Sequence, residues 1–224
     1  MHLILTGATG LVGSGVLDAM LKSKSITKIS ILSRRPVPLA SGDPKVNVIL
    51  HQDFEKYEHQ VIDQLQGASG VVWALGVSQL KVSKEEYVTI TKDFPLAAAK
   101  AFSKLPSTTE PFRFIYVSGH GTSINPTYFT PYFGKVKGEA ERELSELRTP
   151  QFHIESVRPA GVDPSNHDAI KPPTEQLGPF LADMAMGKYD KQLDASGEGI
   201  ENLNGLRILE NVAFRRLYQG RAAI

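Results

Sequence analysis

A glycine triad directly behind the first apolar run is the tightest constraint on how this chain can fold. Residues 2–15 read HLILTGATGLVGSG, with Gly7, Gly10 and Gly13 spaced G-x-x-G-x-x-G. An apolar run, then glycines, then a helix-like stretch describes a strand, a turn and a helix. In such a unit one glycine permits the tight turn. A second lets backbone approach a pyrophosphate, and a third lets the helix pack against the sheet. The helix then presents free amides and the positive end of its dipole to phosphates. Thr9, Leu11 and Val12 complete the loop as candidate binding residues.

The rest of the chain continues this pattern. Residues 2–7, 28–33, 46–50, 70–75, 112–118 and 152–157 are apolar, strand-like runs. Several lack polar alternation, as expected of strands covered on both faces. Residues 11–23, 57–66, 83–105 and 131–148 read as helices between them. Strand–helix alternation predicts a doubly wound, mainly parallel α/β sheet of the Rossmann type. After the stretch RPAGVDPSNHDAIKPP, residues 158–173, the alternation stops. Residues 174–187 and about 203–218 read as helical, a small substrate-side cap over 163–224 that does not fold independently. The expectation is one domain across 224 residues.

Composition removes whole classes of function. Twenty-five basic residues nearly cancel twenty-four acidic ones, so no nucleic-acid footprint is expected. The chain has no cysteine, which excludes disulfides and thiolate metal sites. Its histidines form no metal-ligand spacing. No apolar run is long enough to span a bilayer, and a strand beginning at residue 2 leaves no room for a cleavable leader. The expectation is a cytoplasmic protein acting on a small molecule.

Further residues extend the binding pattern. Arg34 and Arg35 close the second strand, where this fold meets the adenosine ribose. An acidic residue there would grip a 2′-hydroxyl, whereas planar arginine forks suit a 2′-phosphate. The pair therefore predicts NADP(H) over NAD(H). Asp53 and Phe54 follow the third strand, Asp53 as an acceptor for the adenine amino group or as an ordinary cap. Ala74, Leu75 and Gly76 follow the fourth and bring backbone close to the cofactor. Trp73 reads as core.

Together the stretches TGATGLVG, SRR, DF, YVSG, KGEAE and VRPAGV resemble the atypical short-chain dehydrogenase/reductase superfamily. Within it they look most like compact NAD(P)-binding proteins of the Tat-interacting protein group and its small fungal homologues. The resemblance covers about residues 2–162. It implies that Ser118 binds a substrate carbonyl and that Lys137 holds the nicotinamide ribose. It implies too that Pro159 and Gly161 lie in the loop passing the nicotinamide. The family's tyrosine acid falls on Phe133, which has no proton to give.

Three other residues are candidates for that proton. Thr130 reads as a helix N-cap and Pro131 as the first helical residue. At about 100° per residue, Tyr132 then lies roughly 140° from Lys137, but a frayed first turn would let it bend inward. Tyr128 lies in the preceding loop. His120, between two glycines, exchanges protons near neutral pH. The leading expectation is an NADPH-dependent oxidoreductase of a small carbonyl or conjugated substrate. The alternatives are an NADPH-binding sensor or scaffold without turnover, and a redox-neutral isomerase or cyclase. Phe133, Val136, Ala140, Leu144 and Leu147 form a stripe wide enough for one partner, the sheet. Beside it lies a charged face that reads as solvated, so a monomer or weak homodimer is expected.

Overall fold

The computed structural model describes residues 1–105, 110–161, 174–195 and 197–221. Part of the expected cap, up to residue 173, lies outside them. The strands are β1 (His2–Thr6), β2 (Lys28–Ser33), β3 (Val46–Leu50), β4 (Gly70–Trp73), β5 (Phe112–Val117), β6 (Phe152–Arg158), β7 (Ile200–Leu203) and β8 (Leu206–Glu210). They form one sheet in the order β3-β2-β1-β4-β5-β6-β8-β7. Every neighbouring pair is parallel except β7 with β8. The order reverses between β1 and β4, the crevice where ligands bind in open α/β sheets.

All residues of β1 and β4 are buried, because helices cover both faces of the sheet. One face carries α1 (Leu11–Lys22), α6 (Thr174–Ala185) and α8 (Asn211–Arg221), with a core that includes Leu3, Val16, Phe180 and Phe214. The other carries α2 (His59–Gln64), α4 (Phe94–Phe102) and α5 (Tyr132–Ser145), packed on Trp73, Phe102, Phe114 and Leu144. This is the doubly wound, Rossmann-type arrangement expected from the alternation.

Two segments differ from expectation. Residues 83–105 do not form one regular helix: α3 (Lys84–Val88) passes through a π-helical turn at Thr89–Asp93 into α4. Pro95 explains the irregularity, since it has no N–H to return to the carbonyl four residues earlier. That carbonyl belongs to Thr91, and the hydroxyl of Tyr116 donates to it at 2.9 Å.

The second difference is in the tail. Residues 203–210 were expected to be helical, but β7 and β8 form a hairpin that widens the sheet. Asn204 and Gly205 turn it with φ of 51° and 86°. Both central residues have the positive φ that a tight hairpin turn requires. The Asn202 side chain accepts from the Gly205 amide at 2.8 Å. α7 (Asp190–Asp194) then supplies acids to the buried arginines of the sheet, Asp190 to Arg113 and Asp194 to Arg207. The tail is therefore part of the sheet as well as its cover.

Candidate active site

The carboxyl ends of β1, β2 and β4 enclose a cleft of about 570 Å3. Gly7, at its base, has φ of 69°, and a Cβ there would overlap the Ala74 carbonyl. The amide of Gly10 donates to Gly7 O at 2.9 Å, closing the turn. A Cβ on Gly13 would overlap the Gly7 carbonyl, so this glycine lets α1 approach the strand end. Gly10 caps α1 without any side-chain hydrogen bond, which leaves first-turn amides open to a ligand. Leu11 is exposed and Val12 packs partly on the core, so backbone is what these two offer the cleft.

Arg34 and Arg35 are exposed at the rim. The main-chain carbonyl of Arg34 accepts from Gln52 at 2.7 Å. That of Arg35 accepts from the Ser33 hydroxyl at 2.7 Å. One guanidinium nitrogen of Arg35 donates to Thr9 Oγ1 at 3.1 Å, tying the β2 end to the glycine loop. Ala74, Leu75 and Gly76 line the opposite wall. Asp53 is exposed, and its carboxylate accepts from the Glu55 amide at 3.0 Å, so it opens a turn, while Glu58 is the N-cap of α2. Phe54 departs from expectation as a contact residue. It is fully buried and packs on His51, Trp73 and Phe94, so its ring has no surface to present.

Beyond β5, Ser118 and Lys137 come together. The ammonium of Lys137 donates to the Ser118 main-chain carbonyl at 2.8 Å. Burial pulls its pKa down to about 8, with Glu141 opposing that shift. Ser118 Oγ lies 3.2 Å from Thr122 Oγ1, and both residues are buried. Thr122 escaped the sequence reading. Its only signal is a place four residues after Ser118, and a turn in which Thr122 N donates to Gly119 O at 3.2 Å folds it back. Phe133 lies against Gly121 in the same loop.

The candidate proton donors face elsewhere. Helix α5 begins at Tyr132 with Pro131 as N-cap, and Thr130 accepts from Thr127 instead of capping it. Tyr132 donates its hydroxyl to Lys84 O at 3.3 Å and its ring lies tilted against Tyr87, consistent with the 140° separation from Lys137. Tyr128 is 91% exposed. The His120 amide donates to Pro159 O at 2.9 Å, while its exposed ring sits 3.6 Å from Glu210. Gly161 is exposed.

Helix α5 meets this loop through two glycines. A Cβ on Gly134 would overlap Gly121 O, and one on Gly138 would overlap Ser123 O. Gly138→Ala is therefore expected to cost about 1–3 kcal/mol in urea unfolding. An unchanged midpoint would show that the loop is not held this way. Val136, Ala140 and Leu144 of the stripe are buried. The charged face is not all solvated, however: Glu141 is fully buried. It accepts from Arg158 Nε at 3.0 Å and from the Ser156 hydroxyl at 2.7 Å. Arg158 also donates to Glu210 at 2.8 Å.

A larger cavity, about 890 Å3, lies between α1 and α6. The glycine turn, both arginines and the β4 loop converge instead on the smaller one, which falls within the usual range for ligand sites. Among the described residues no helix is long and apolar enough to cross a membrane, and no group of acidic residues and histidines could hold a metal ion.

Fold and cleft together define a Rossmann-type α/β protein with a glycine turn at the sheet's switch point. No family model matches the chain. It is 40% identical over 192 residues to leucinostatins biosynthesis cluster protein T of Purpureocillium lilacinum, covering 77% of this chain and 69% of that one. The chain belongs to that protein's family. It is also 36% identical over 154 residues to botcinic acid biosynthesis cluster B protein 16 of Botryotinia fuckeliana, covering 54% of this chain and 96% of the relative. Among solved structures, the oxidoreductase ylbE from Lactococcus lactis matches with a TM-score of 0.66 at 15% identity, over 98% of this chain and 97% of that one. That likeness is one of fold.

Proposed function

We propose that the protein is an NADPH-dependent oxidoreductase of the atypical short-chain type, near the Tat-interacting group, acting on a small carbonyl or conjugated substrate. The observation that carries this reading is one continuous row of strand ends. The glycine cleft and the arginines sit at β1, β2 and β4, and the Ser118–Lys137 pair at β5. The residues fit a dinucleotide: Gly7 and Gly13 are held to glycine by close backbone, and the first amides of α1 lack a side-chain cap. The dinucleotide would supply hydride. Gly7, Gly10 and Gly13 bind its pyrophosphate through backbone, Arg34 and Arg35 its 2′-phosphate, and Lys137 its ribose. Pro159 and Gly161 border the nicotinamide end. Ser118 orients the substrate oxygen. The family relatives, named for biosynthesis clusters, agree with a small-molecule substrate. We read the chain as one such domain, active as a monomer or weak homodimer.

The charge on Lys137 gives this reading a pH signature. Its ammonium is the donor a ribose would meet, and it is lost as pH rises through about 8. Dinucleotide affinity is therefore expected to fall across that pH, and a Lys137→Met variant to lack the fall. Stability changes in the opposite sense. Between about 8 and the ordinary 10.5 the unfolded chain holds a proton that the folded one has released. The wild type thus gains stability with rising pH. Any advantage of Lys137→Met at neutral pH should narrow over that window.

The experiment that tests the function is loss of dihydronicotinamide absorbance when the protein, NADPH and a panel of carbonyl compounds are mixed. Turnover with at least one class supports an oxidoreductase. Phe133 favours a second reading, an NADPH-binding sensor or scaffold. Tight NADPH binding with no turnover on any class would establish it. Restoring a tyrosine by Phe133→Tyr would then be expected to create carbonyl reduction.

A further inference from the structure

The groups left around Ser118 make a good hydrogen-bond donor and a poor acid. Tyr132 is engaged with Lys84 O at 3.3 Å, Tyr128 points to solvent, and His120 pairs with Glu210. Lys137 donates one proton to the Ser118 main-chain carbonyl, and its other protons face the dinucleotide ribose in the reading above, not the substrate oxygen. What remains is two aliphatic hydroxyls 3.2 Å apart, 5% and 7% exposed, with the Phe133 ring against the adjacent Gly121. If Thr122 donates to Ser118 Oγ, the Ser118 proton is left for a ligand oxygen, and each bond of the pair polarises the other.

Two kinds of carbonyl compound make different demands on such a site. Hydride added at a carbonyl carbon leaves a strongly basic alkoxide that must be protonated as it forms. Hydride added at the β-carbon of a conjugated carbonyl instead leaves an enolate. The former C=C pair becomes the new double bond to the carbonyl carbon, and the carbonyl π pair moves to oxygen. That oxygen is far less basic, and fixed donors stabilise it without giving up a proton. The α-carbon takes a proton from water afterwards.

We propose, resting on the oxidoreductase reading above, that this site takes α,β-unsaturated carbonyl compounds, with the Ser118–Thr122 hydroxyl chain holding the enolate oxygen. Ser118 touches that oxygen, and Thr122 is a positioning residue acting through Ser118. A reduced nicotinamide dinucleotide is the hydride source and water the proton source. The C=C bond is lost and the carbonyl retained.

The test has two arms. Para-nitrophenol, whose anion resembles an enolate oxygen, is titrated with the dinucleotide-free protein and followed by its colour. Bound phenol is expected to ionise about tenfold or more readily than free phenol, the effect of one charge-assisted bond. Ser118→Ala should abolish the shift, Thr122→Val reduce it and Thr122→Ser restore it. No binding, no shift or a shift unchanged in Ser118→Ala overturns the proposal. In the second arm NADPH is incubated with cinnamaldehyde or hydrocinnamaldehyde and the products are identified. Conversion of cinnamaldehyde to hydrocinnamaldehyde, with hydrocinnamaldehyde itself untouched, supports it. Alcohol from either aldehyde, or unreacted cinnamaldehyde with protein that calorimetry shows to bind NADPH, overturns it. Absence of NADPH binding would instead overturn the parent reading, while the phenol arm still reports on the donor.

Discussion

Arg158→Met is expected to destabilise the protein by about 3–5 kcal/mol, the cost of leaving a buried charge without its partner. Glu141 is fully buried in α5, and Arg158 reaches it from β6 with Nε at 3.0 Å and a second guanidinium nitrogen. Without the guanidinium, the Ser156 hydroxyl at 2.7 Å is the remaining bond among those that hold this carboxylate. Glu210 loses its 2.8 Å bond as well. Removing both charges with Glu141→Gln and Arg158→Met should cost less than Arg158→Met alone, because no uncompensated ion is left. Urea unfolding of the two variants measures the difference. A single-variant loss under about 1 kcal/mol would mean the pair is no more than a surface-like ion pair.

Replacing Arg34 and Arg35 by alanine is expected to weaken NADP(H) binding far more than NAD(H) binding. Each charge-assisted bond to a 2′-phosphate contributes about 1.5–3 kcal/mol, or roughly 10- to 150-fold. Both arginines are exposed at the cleft rim, and Arg35 is braced by Thr9 at 3.1 Å. Thr9→Val should therefore lower NADP affinity by a smaller factor, by freeing Arg35 without removing it. Equal calorimetric losses for both cofactors in the double-alanine variant would show that these side chains do not read the phosphate.

Much of this fold was legible because its signals are local. Six apolar runs gave six parallel strands within a residue or two at their ends, since strands buried on both faces need no polar alternation. The glycine turn was legible for the same reason: backbone conformation at Gly7 and contact at Gly13 leave no other residue type. The π turn was harder to see, although Pro95 foretold a missing hydrogen bond to Thr91. The β7–β8 hairpin also carried a local signal, Asn204-Gly205, outweighed by the helical look of its flanks.

The site was less legible where it depends on distant pairing. Glu141 looked solvated in a run of charges, and only β6 and β8 reveal its partners Arg158 and Glu210. Phe54 looked available beside Asp53, until α4 placed Phe94 against it. Tyr132 followed helix geometry, but its destination at Lys84 was not readable from the chain. Thr122 became visible only when its loop folded back on Ser118.

Amide hydrogen exchange with and without NADPH tests the central claim most directly, because it locates binding independently of turnover. The account predicts slowed exchange in residues 7–13, 33–35, 74–76 and 118–122, the loops at the carboxyl ends of β1, β2, β4 and β5. Exchange left unchanged at saturating NADPH, or slowed only along the groove between α1 and α6, would contradict it.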